Sequence, residues 1–318
     1  MYKNKTIGVV VPAYNEEKLI SRVIETMPDF VDYIYVIDDC SRDKTAEKVQ
    51  RLAEIEKYKN RLKLIQNLKN QGVGSSIVKG YLTAIKQNMD IVAVMAGDAQ
   101  MDPDDLPVLL DAVIDGRADY AKGNRLVTGE AWRKIPHLRY LGNSFLSLLT
   151  KIASGYWHVA DSQTGYTAVT REVLQGLPLE KLYKRYGYPN HLLVMLNICN
   201  CRVVDVPVSP IYNIGETSGI KLYSVIPRML NLLLRLFIGR MVKKYIIRDF
   251  HPLVFFYVFA FLLLSTCLPL SVRLFWYFGI TGEIMKVNLL ALMFCGIMGF
   301  QSLFFAMWFD MEANKDLK

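Results

Sequence analysis

The chain is poor in the residues that build metal scaffolds and disulfide frameworks. Its 318 residues include four histidines and five cysteines, and the cysteines show none of the paired spacings of a zinc site. Cys199 and Cys201 form an isolated pair, while Cys267 and Cys295 lie in long apolar runs. We therefore expect reduced, structural cysteines, and the pattern argues against a zinc protein or a disulfide-stabilised secreted domain.

Charged residues are missing from two stretches near the C-terminus. Leu253 to Val272 and Val287 to Phe309 carry no charge, and each has roughly the length that a helix needs to cross hydrocarbon. A pair of buried core helices is the alternative interpretation. Two such runs in succession favour two transmembrane helices, spanning about 253–272 and 287–309.

Acidic residues are missing between Thr217 and Arg248, a segment that is rich in lysine and arginine. This asymmetry predicts a cytoplasmic flank before the first span, and the second span returns the C-terminus to the same side. Much of the net charge of +8 lies in this segment, so we expect anionic membrane lipids rather than nucleic acid as its partner. Residues 221–250 are expected to form interfacial amphipathic helices, with a basic helix packed on the soluble domain as the alternative.

The N-terminal residues Met1–Lys5 lead directly into a strand-like segment, which is unlike a secretory signal. We therefore expect an integral membrane protein of the cell membrane or an ER-type membrane, with its large polar part and both termini in the cytoplasm.

Short apolar runs alternate with amphipathic stretches over the first 120 residues. The runs predict strands at 7–11, 33–37, 62–65 and 91–95, and the stretches predict helices at 16–27, 44–57, 75–87 and 106–115. Such alternation is typical of a mostly parallel sheet with helices on both faces. Further on, we expect helices at 139–154 and near 170–174, and an edge strand at 203–208. Ligands of such sheets bind at the carboxyl ends of the strands.

The fourth predicted strand ends in a stretch that could bind a cation. Ile91–Met95 is followed by Ala96-Gly97-Asp98-Ala99-Gln100-Met101-Asp102-Pro103, which delivers a carboxylate and an amide oxygen to the sheet edge. The alternative is an acidic turn that caps the next helix.

Two other strand ends carry polar motifs. Asp38-Asp39-Cys40-Ser41 places two carboxylates where acidic groups of nucleotide-binding folds contact a base or a ribose, although a helix cap is also expected there. Asn70-Gln71-Gly72-Val73-Gly74 is glycine-rich and begins a helix, which is a weak signal for phosphate binding. His158 and His191 have no histidine partner at a useful spacing, so we expect structural roles.

Taken in order, these motifs resemble those of family 2 glycosyltransferases with the GT-A fold. The resemblance rests on Val11-Pro12-Ala13-Tyr14-Asn15-Glu16-Glu17, Asp38–Ser41, Asn70–Gly72 and Gly97–Pro103, and it covers roughly residues 6–215. The basic segment and two spans that follow are similar to those of polyprenyl-phosphate glycosyltransferases, the group that includes dolichyl-phosphate mannose synthases. The implied fold class is α/β, with a Rossmann-like GT-A domain at 1–220, juxtamembrane amphipathic helices at 221–250 and a two-helix transmembrane domain at 251–318.

The resemblance also implies roles for individual residues. The expected nucleotide-binding residues are Pro12, Tyr14, Glu16, Asp38, Asp39, Gly97 and Asp98. The expected catalytic residues are Asp98, Arg125, Asp161 and Lys221. The acceptor phosphate is assigned to Arg125, Arg139 and Asn143, and the donor sugar to Gln163, Thr164 and Gly165. Asp98 and Gln100 are the expected ligands of Mg²⁺ or Mn²⁺.

Two positions depart from the family pattern. The metal segment is usually Asp-x-Asp-x-Gln, but its first position here is Ala96, so we expect a cation held by fewer protein ligands and more phosphate and water oxygens. Where many relatives have a catalytic carboxylate, this chain has Tyr188-Pro189-Asn190-His191. A phosphate acceptor is already ionised and needs little help from a base.

Together these features predict an inverting hexosyltransferase that moves a sugar from a UDP- or GDP-linked donor to a dolichyl or undecaprenyl phosphate. The expected partners are the nucleotide-sugar, the lipid acceptor and membrane lipids, with a homo-oligomer through the transmembrane helices left open. One alternative is a glycosyltransferase for a hydroxyl acceptor, either a glycolipid or a polysaccharide. A catalytically inactive membrane scaffold, for which Ala96 is the best argument, is another.

Overall fold

The computed structural model describes residues 1–127, 137–209, 211 and 222–318, and the side chains of 137–141, 143 and 222–225 lie outside the description. The described chain forms two compact units. The first comprises Met1–Phe237 with Leu317–Lys318, and the second comprises Ile238–Asp316.

A sheet of seven strands organises the described part of the first unit. Its strands are β1 (Ile7–Ala13), β2 (Tyr33–Asp38), β3 (Leu62–Gln66), β4 (Ile91–Val94), β5 (Tyr120–Asn124), β6 (Thr167–Thr170) and β7 (Val203–Pro207). Their order is β3-β2-β1-β4-β6-β5-β7. Strands β1 to β4 are parallel, β6 is antiparallel to both neighbours, and β7 pairs in parallel with β5 at the edge. The mostly parallel sheet and the edge strand were predicted; β5 and β6 were not.

Helices cover both faces of the sheet. The helices in this part of the chain are α1 (Ile20–Glu25), α2 (Thr45–Ala53), α3 (Val73–Lys86), α4 (Leu106–Ile114), α5 (His137–Ser154), α6 (Arg171–Gly176) and α7 (Tyr188–Ile198), and α8 (Leu222–Val242) follows them. Val9 and Val11 contribute to one buried apolar layer and Val10 to the other, because successive strand residues point to opposite faces. All seven residues of β1 are buried, as expected for a parallel strand covered on both sides.

The second unit contains two long apolar helices, α9 (Leu253–Thr281) and α10 (Lys286–Ala313). Only 11% and 17% of their most apolar windows are buried within the structure, so they are not core helices of a soluble domain. They pack closely at Gly299, where an added Cβ would lie 2.9 Å from Leu264 Cγ. The side-chain amide of Asn288 donates to the carbonyl of Leu270 at 2.8 Å, so this polar side chain serves a contact between the two helices.

A buried polar cluster lies within the second unit. The guanidinium of Arg240 donates to both carboxylate oxygens of Asp310, at 2.7 and 2.8 Å, and both side chains are fully buried. Tyr245 also donates to Asp310 at 2.8 Å. Lys244 donates to the amide oxygen of Asn314 at 2.7 Å. Because Arg240 and Asp310 satisfy each other at two points, the pair closes on itself and does not face solvent.

Candidate active site

The carboxyl ends of β1, β2 and β4 meet at one edge of the sheet, and the residues that follow them adopt unusual backbone geometry. Asn15, Cys40 and Ala99 have φ values of 57°, 63° and 54°. Non-glycine residues rarely occupy this left-handed region, and such positions concentrate at binding and catalytic sites. The predicted nucleotide and metal motifs therefore lie on a single edge with specialised backbone.

Gly97 joins the ends of β1 and β4. Its amide donates to the carbonyl of Pro12 at 3.1 Å, and an added Cβ would lie 3.2 Å from both that oxygen and the Cβ of Ala13. A side chain at position 97 would push the two strand ends apart. The glycine thus allows the backbone segment that carries Asp98 to approach the segment that carries Glu16.

The electrostatics of this edge favour a cation. Partial burial, followed by the negative charges of Asp98 and Asp43, raises the pKa of Glu16 to about 7. Like charges that oppose one another in this way are relieved by a bound cation. Tyr14, which is also predicted to bind nucleotide, is 42% exposed at the same edge.

Asp39 organises the loop after β3. Its carboxylate accepts from the amides of Gln71 and Gly72 at 2.9 and 2.7 Å and from the Asn67 side chain at 2.8 Å. Only 3% of Asp39 is exposed, so this residue builds the wall of the predicted nucleotide site. Asp38 is also buried, and its carboxylate accepts from the amide of Ser41 at 3.3 Å.

The glycines at the start of α3 serve a backbone contact. The amides of Gly74 and Ser75 donate to the carbonyl of Lys184 at 2.9 and 3.3 Å. Added Cβ atoms at Gly72 and Gly74 would lie 2.5 Å from the carbonyl oxygen of Lys184 and 2.1 Å from that of Tyr183. A protein carbonyl therefore takes the helix N–H groups that a phosphate would need, and the suggested phosphate cradle is wrong.

Asp98 and Gln100 follow β4 within one tight turn. The amide of Gln100 donates to Asp98 Oδ1 at 3.2 Å, and the carbonyl of Gln100 accepts from the amide of Ile211 at 3.1 Å. Within the described ranges, no group of three or more His, Cys, Asp or Glu side chains is arranged to hold a metal. The hard oxygens of Asp98 and Gln100 fit Mg²⁺ or Mn²⁺ only if phosphate or water oxygens complete the coordination.

The alternative interpretation of this segment also holds. Asp102 Oδ1 accepts from the amide of Asp104 at 3.0 Å and caps the short 3-10 helix Pro103–Asp105. The turn after β4 therefore has two parts: Asp98 and Gln100 form the candidate cation site, and Asp102 caps the helix that follows.

Arg125 and Asp161 form a two-point ion pair at the site. Arg125 Nε lies 2.7 Å from Asp161 Oδ2, and Nη2 lies 3.1 Å from Oδ1. Asp161 is 1% exposed. Although burial opposes ionisation, the guanidinium lowers the pKa of the Asp161 carboxyl. The Arg125 side chain remains 21% exposed, so a fixed positive charge reaches solvent at the site.

The loop Asp161–Tyr166 contains the predicted donor-sugar residues and is called the donor-sugar loop; it is tied to the acidic turn after β4. Tyr166 donates its hydroxyl to the carbonyl of Asp102 at 2.8 Å. At Gly165, an added Cβ would lie 2.8 Å from the hydroxyl of Tyr188, so a side chain here would displace one of the two. Gln163 Nε2 lies 3.0 Å from Asn190 Oδ1.

Asn190 lies in the segment where the family resemblance leads one to expect a carboxylate. It is fully buried on α7, and its side chain contacts Thr150 on α5 at 3.3 Å as well as Gln163. These contacts link the donor-sugar loop to two helices. Asn190 therefore has a structural role, and its carboxamide cannot act as a general base.

The structure also reveals polar residues beneath the site that the sequence did not single out. Lys122 on β5 is fully buried, and Asp205 on β7 is bound by the Asn124 side chain at 2.8 Å. The sequence offered one sign of this buried lysine, which is its position between the small residues Ala121 and Gly123. Its burial became visible only when β5 was placed inside the sheet.

The remaining predicted positions have mixed outcomes. Arg139 and Asn143 lie in α5, but their side chains are outside the described part, and Lys221 lies outside the described residues altogether. The histidines are structural, as predicted: His191 Nδ1 accepts from the amide of Tyr183 at 3.0 Å, and His158 Nε2 lies 2.7 Å from the carbonyl oxygen of Val203.

Two similar proteins are named as dolichyl- or dolichol-phosphate sugar transferases. A UDP-N-acetylglucosamine–dolichyl-phosphate N-acetylglucosaminyltransferase of Methanococcus voltae is 29% identical over 219 residues, which cover 66% of this chain and 87% of that protein. A dolichol-phosphate mannosyltransferase of Pyrococcus furiosus is 30% identical over 206 residues, covering 63% of this chain and 55% of that protein.

A solved structure confirms the fold. Glucosyl-3-phosphoglycerate synthase of Mycobacterium tuberculosis, crystallised with Mn²⁺ and UDP, matches with a TM-score of 0.53 over 74% of this chain and 80% of that chain, at 20% identity. The family model described as glycosyl transferase family 2 matches residues 8–177, which is more than half of the sequence. On this evidence the chain belongs to glycosyltransferase family 2.

Proposed function

We propose that this protein transfers a sugar from a nucleotide-sugar to the phosphate of a membrane polyprenol. The observation that carries the proposal is that one chain joins a family 2 active-site edge to two helices whose apolar surfaces are mostly exposed. Relatives named as dolichyl- and polyprenyl-phosphate glycosyltransferases support this choice of acceptor. The basic segment before α9 supports a cytoplasmic catalytic unit.

In the proposed reaction, an oxygen of the acceptor phosphate attacks the anomeric carbon of the donor sugar. The bond from that carbon to the diphosphate oxygen breaks, and the nucleoside diphosphate leaves with the electron pair, so the anomeric configuration inverts. The acceptor oxygen is already ionised, so no general base is required. The buried amide of Asn190, in place of a carboxylate, is consistent with this chemistry.

Different residues of the site bind the acceptor phosphate, the nucleotide and the cation in this proposal. Arg125, oriented by Asp161, is placed to bind the acceptor phosphate, since a guanidinium meets phosphate oxygens at two points. Glu16 and Asp98 line the nucleotide end of the edge. Asp98 and Gln100 would hold a divalent cation, which supplies charge neutralisation for the leaving diphosphate when bound.

The test is a transfer assay on the full-length protein in phospholipid vesicles that contain polyprenyl phosphate. A panel of radiolabelled UDP- and GDP-sugars is supplied with Mg²⁺ or Mn²⁺, and the lipid product is separated and counted. We expect a labelled glycolipid that is lost with a chelator. Transfer to a hydroxyl lipid alone would overturn the acceptor assignment, and absence of any transfer with every donor would favour an inactive scaffold.

Matched variants locate the cation site. Asp98→Asn should lower turnover at least tenfold, roughly 1.4 kcal/mol in barrier. Asp104→Asn removes an exposed carboxylate from the same segment and should leave turnover within about twofold, less than about 0.4 kcal/mol. Equal effects of the two changes would show that Asp98 has no special role.

A further inference from the structure

Lys122 is a fully buried lysine in the middle of β5, among the strands that carry the active-site residues. An ammonium group is costly to remove from water unless nearby groups compensate its charge and its hydrogen bonds. The apolar packing of the sheet would be served better by an aliphatic residue. The groups around this lysine therefore bear on its role.

The Lys122 ammonium donates to the main-chain carbonyl of Thr164, inside the donor-sugar loop. The next residue of β5, Gly123, donates its amide to the carbonyl of Tyr166 at 2.8 Å. Strand β5 thus holds the loop at two points, one through a side chain and one through the backbone. Of the two contacts, the one from Lys122 reaches the part of the loop that is nearer to Asp161 in the sequence.

Two carboxylates flank Lys122. The negative charges of Asp161 and Asp205 support its protonated form, while burial lowers its pKa to about 8 and the positive charge of Arg125 acts in the same direction. Asp205 Oδ1 is buried and has no hydrogen-bond partner in the part of the chain that the structure describes. The four charges balance, and without Lys122 two buried carboxylates would share the Arg125 guanidinium.

We propose that Lys122 is a positioning residue of the transfer reaction: it holds the Asp161–Thr164 segment, and through Asp161 the Arg125 guanidinium, in the geometry that transfer requires. This inference rests on the proposed function. Lys122 itself is buried and does not touch substrate, so its effect passes entirely through the loop and through Asp161.

The experiment is a double-mutant cycle on the full-length protein in vesicles, with Lys122→Met, Asp161→Asn and both together. We expect each single change to lower kcat at least tenfold while KM for the nucleotide-sugar changes less than threefold. Because both changes disturb the same element, the double variant should be no slower than Asp161→Asn alone. Effects that multiply would overturn the proposal.

A matched control uses Lys48, whose ammonium donates to the main-chain carbonyl of Glu17 at 2.6 Å. Lys48→Met removes a similar lysine-to-carbonyl contact from a different loop. Any effect of this change on kcat should multiply with that of Asp161→Asn. If Lys48→Met behaves like Lys122→Met, the coupling reflects general loosening of the fold and the proposal fails.

Two further measurements keep the test decisive if Lys122→Met does not fold. Lys122→Gln retains an N–H donor without the charge, and its thermal unfolding midpoint shows whether it is folded at the assay temperature. A folded Lys122→Gln replaces Lys122→Met in the cycle, and the same outcomes support or overturn the proposal. The second measurement needs no change at Lys122: the alkaline limb of kcat, near pH 8, should move to lower pH in Asp205→Asn because the ammonium loses a compensating carboxylate. A limb that stays in place would overturn the proposal.

Failure of the proposed function would be distinct. In that case the wild-type protein transfers no sugar to polyprenyl phosphate with any donor. Failure of the present inference leaves the wild-type transfer intact and shows instead multiplicative effects in the cycle and an unmoved alkaline limb.

Discussion

The two units of the protein each contain an arginine that contacts both carboxylate oxygens of an aspartate, yet the two pairs differ in exposure. In the second unit, which contains α9 and α10 and is called the membrane unit, Arg240 and Asp310 are both fully buried. In the first unit, which contains the sheet and is called the catalytic unit, Asp161 is buried but Arg125 remains 21% exposed. The closed pair has no access to a ligand, so its role is structural. The open pair presents a guanidinium that is already oriented by its partner, which suits the recognition of a phosphate.

The largest expected effect is on the closed pair. Arg240→Met leaves the Asp310 carboxylate buried without its guanidinium and should destabilise the membrane unit by about 3–5 kcal/mol. The measurement is the thermal unfolding midpoint in detergent micelles, compared with Arg235→Met, an exposed arginine of the same helix. If the two variants unfold together, Arg240 is not a structural anchor and the contrast between the pairs is lost.

The open pair should respond in activity rather than in stability. Arg125→Lys keeps the charge but removes the fork, and we expect kcat to fall about 10²- to 10³-fold, roughly 2.7–4 kcal/mol, as for the loss of a preorganised charge-stabilising donor. The unfolding midpoint should stay close to that of the wild type because the lysine keeps a positive charge beside the buried Asp161 carboxylate. Unfolding shifts as large as those of Arg240→Met would mean that Arg125 is also structural.

Asp205 gives a pH-dependent difference between the units. Burial raises its pKa from 3.8 to about 6, so the folded protein favours the protonated acid. Its contribution to stability, about 3 kcal/mol, is complete below about pH 4 and is lost as the pH rises through about 6. Unfolding of the catalytic unit, followed between pH 4 and 7, should show this slope in the wild type and lack it in Asp205→Asn.

The smallest expected effect concerns an exposed ion pair. Lys3 lies 2.8 Å from Asp111, with 47% and 29% of their side chains exposed. Lys3→Ala should lower the thermal unfolding midpoint only slightly, and the difference should diminish with added salt. A larger cost would show that exposure is a poor guide to the worth of ion pairs in this protein, and would undermine the contrast between Arg125 and Arg240.

Much of the fold could be predicted because its signals are local. The apolar runs at β1 to β4 and the intervening amphipathic helices follow from side-chain periodicity, and the two spans follow from an absence of charge. The short strands β5 and β6 were missed. β5 contains Lys122 and Gly123, which interrupt the apolar pattern, while β6 spans four residues, two of them threonines.

The site was predicted less evenly. Motif order predicted that Glu16, Asp39 and Asp98 share one sheet edge, and they lie there together, yet Asp39 accepts three hydrogen bonds from the protein itself. The glycines of the loop after β3 gave only a weak signal for phosphate binding, and in the structure they accommodate the carbonyls of Tyr183 and Lys184, more than a hundred positions away. No local pattern distinguishes these two uses of glycine.

The sequence by itself determined the element types, the membrane-length helices and the family motifs, because hydrophobic periodicity and strand-end chemistry are properties of neighbouring residues. Only the tertiary structure decided which polar residues are buried together. Arg240 meets Asp310 across 70 positions, and Lys122 reaches Thr164 across 42. Such pairings depend on which strands and helices become neighbours. A buried charge is tolerated only where folding delivers its partner, and that partner is not visible in either local segment.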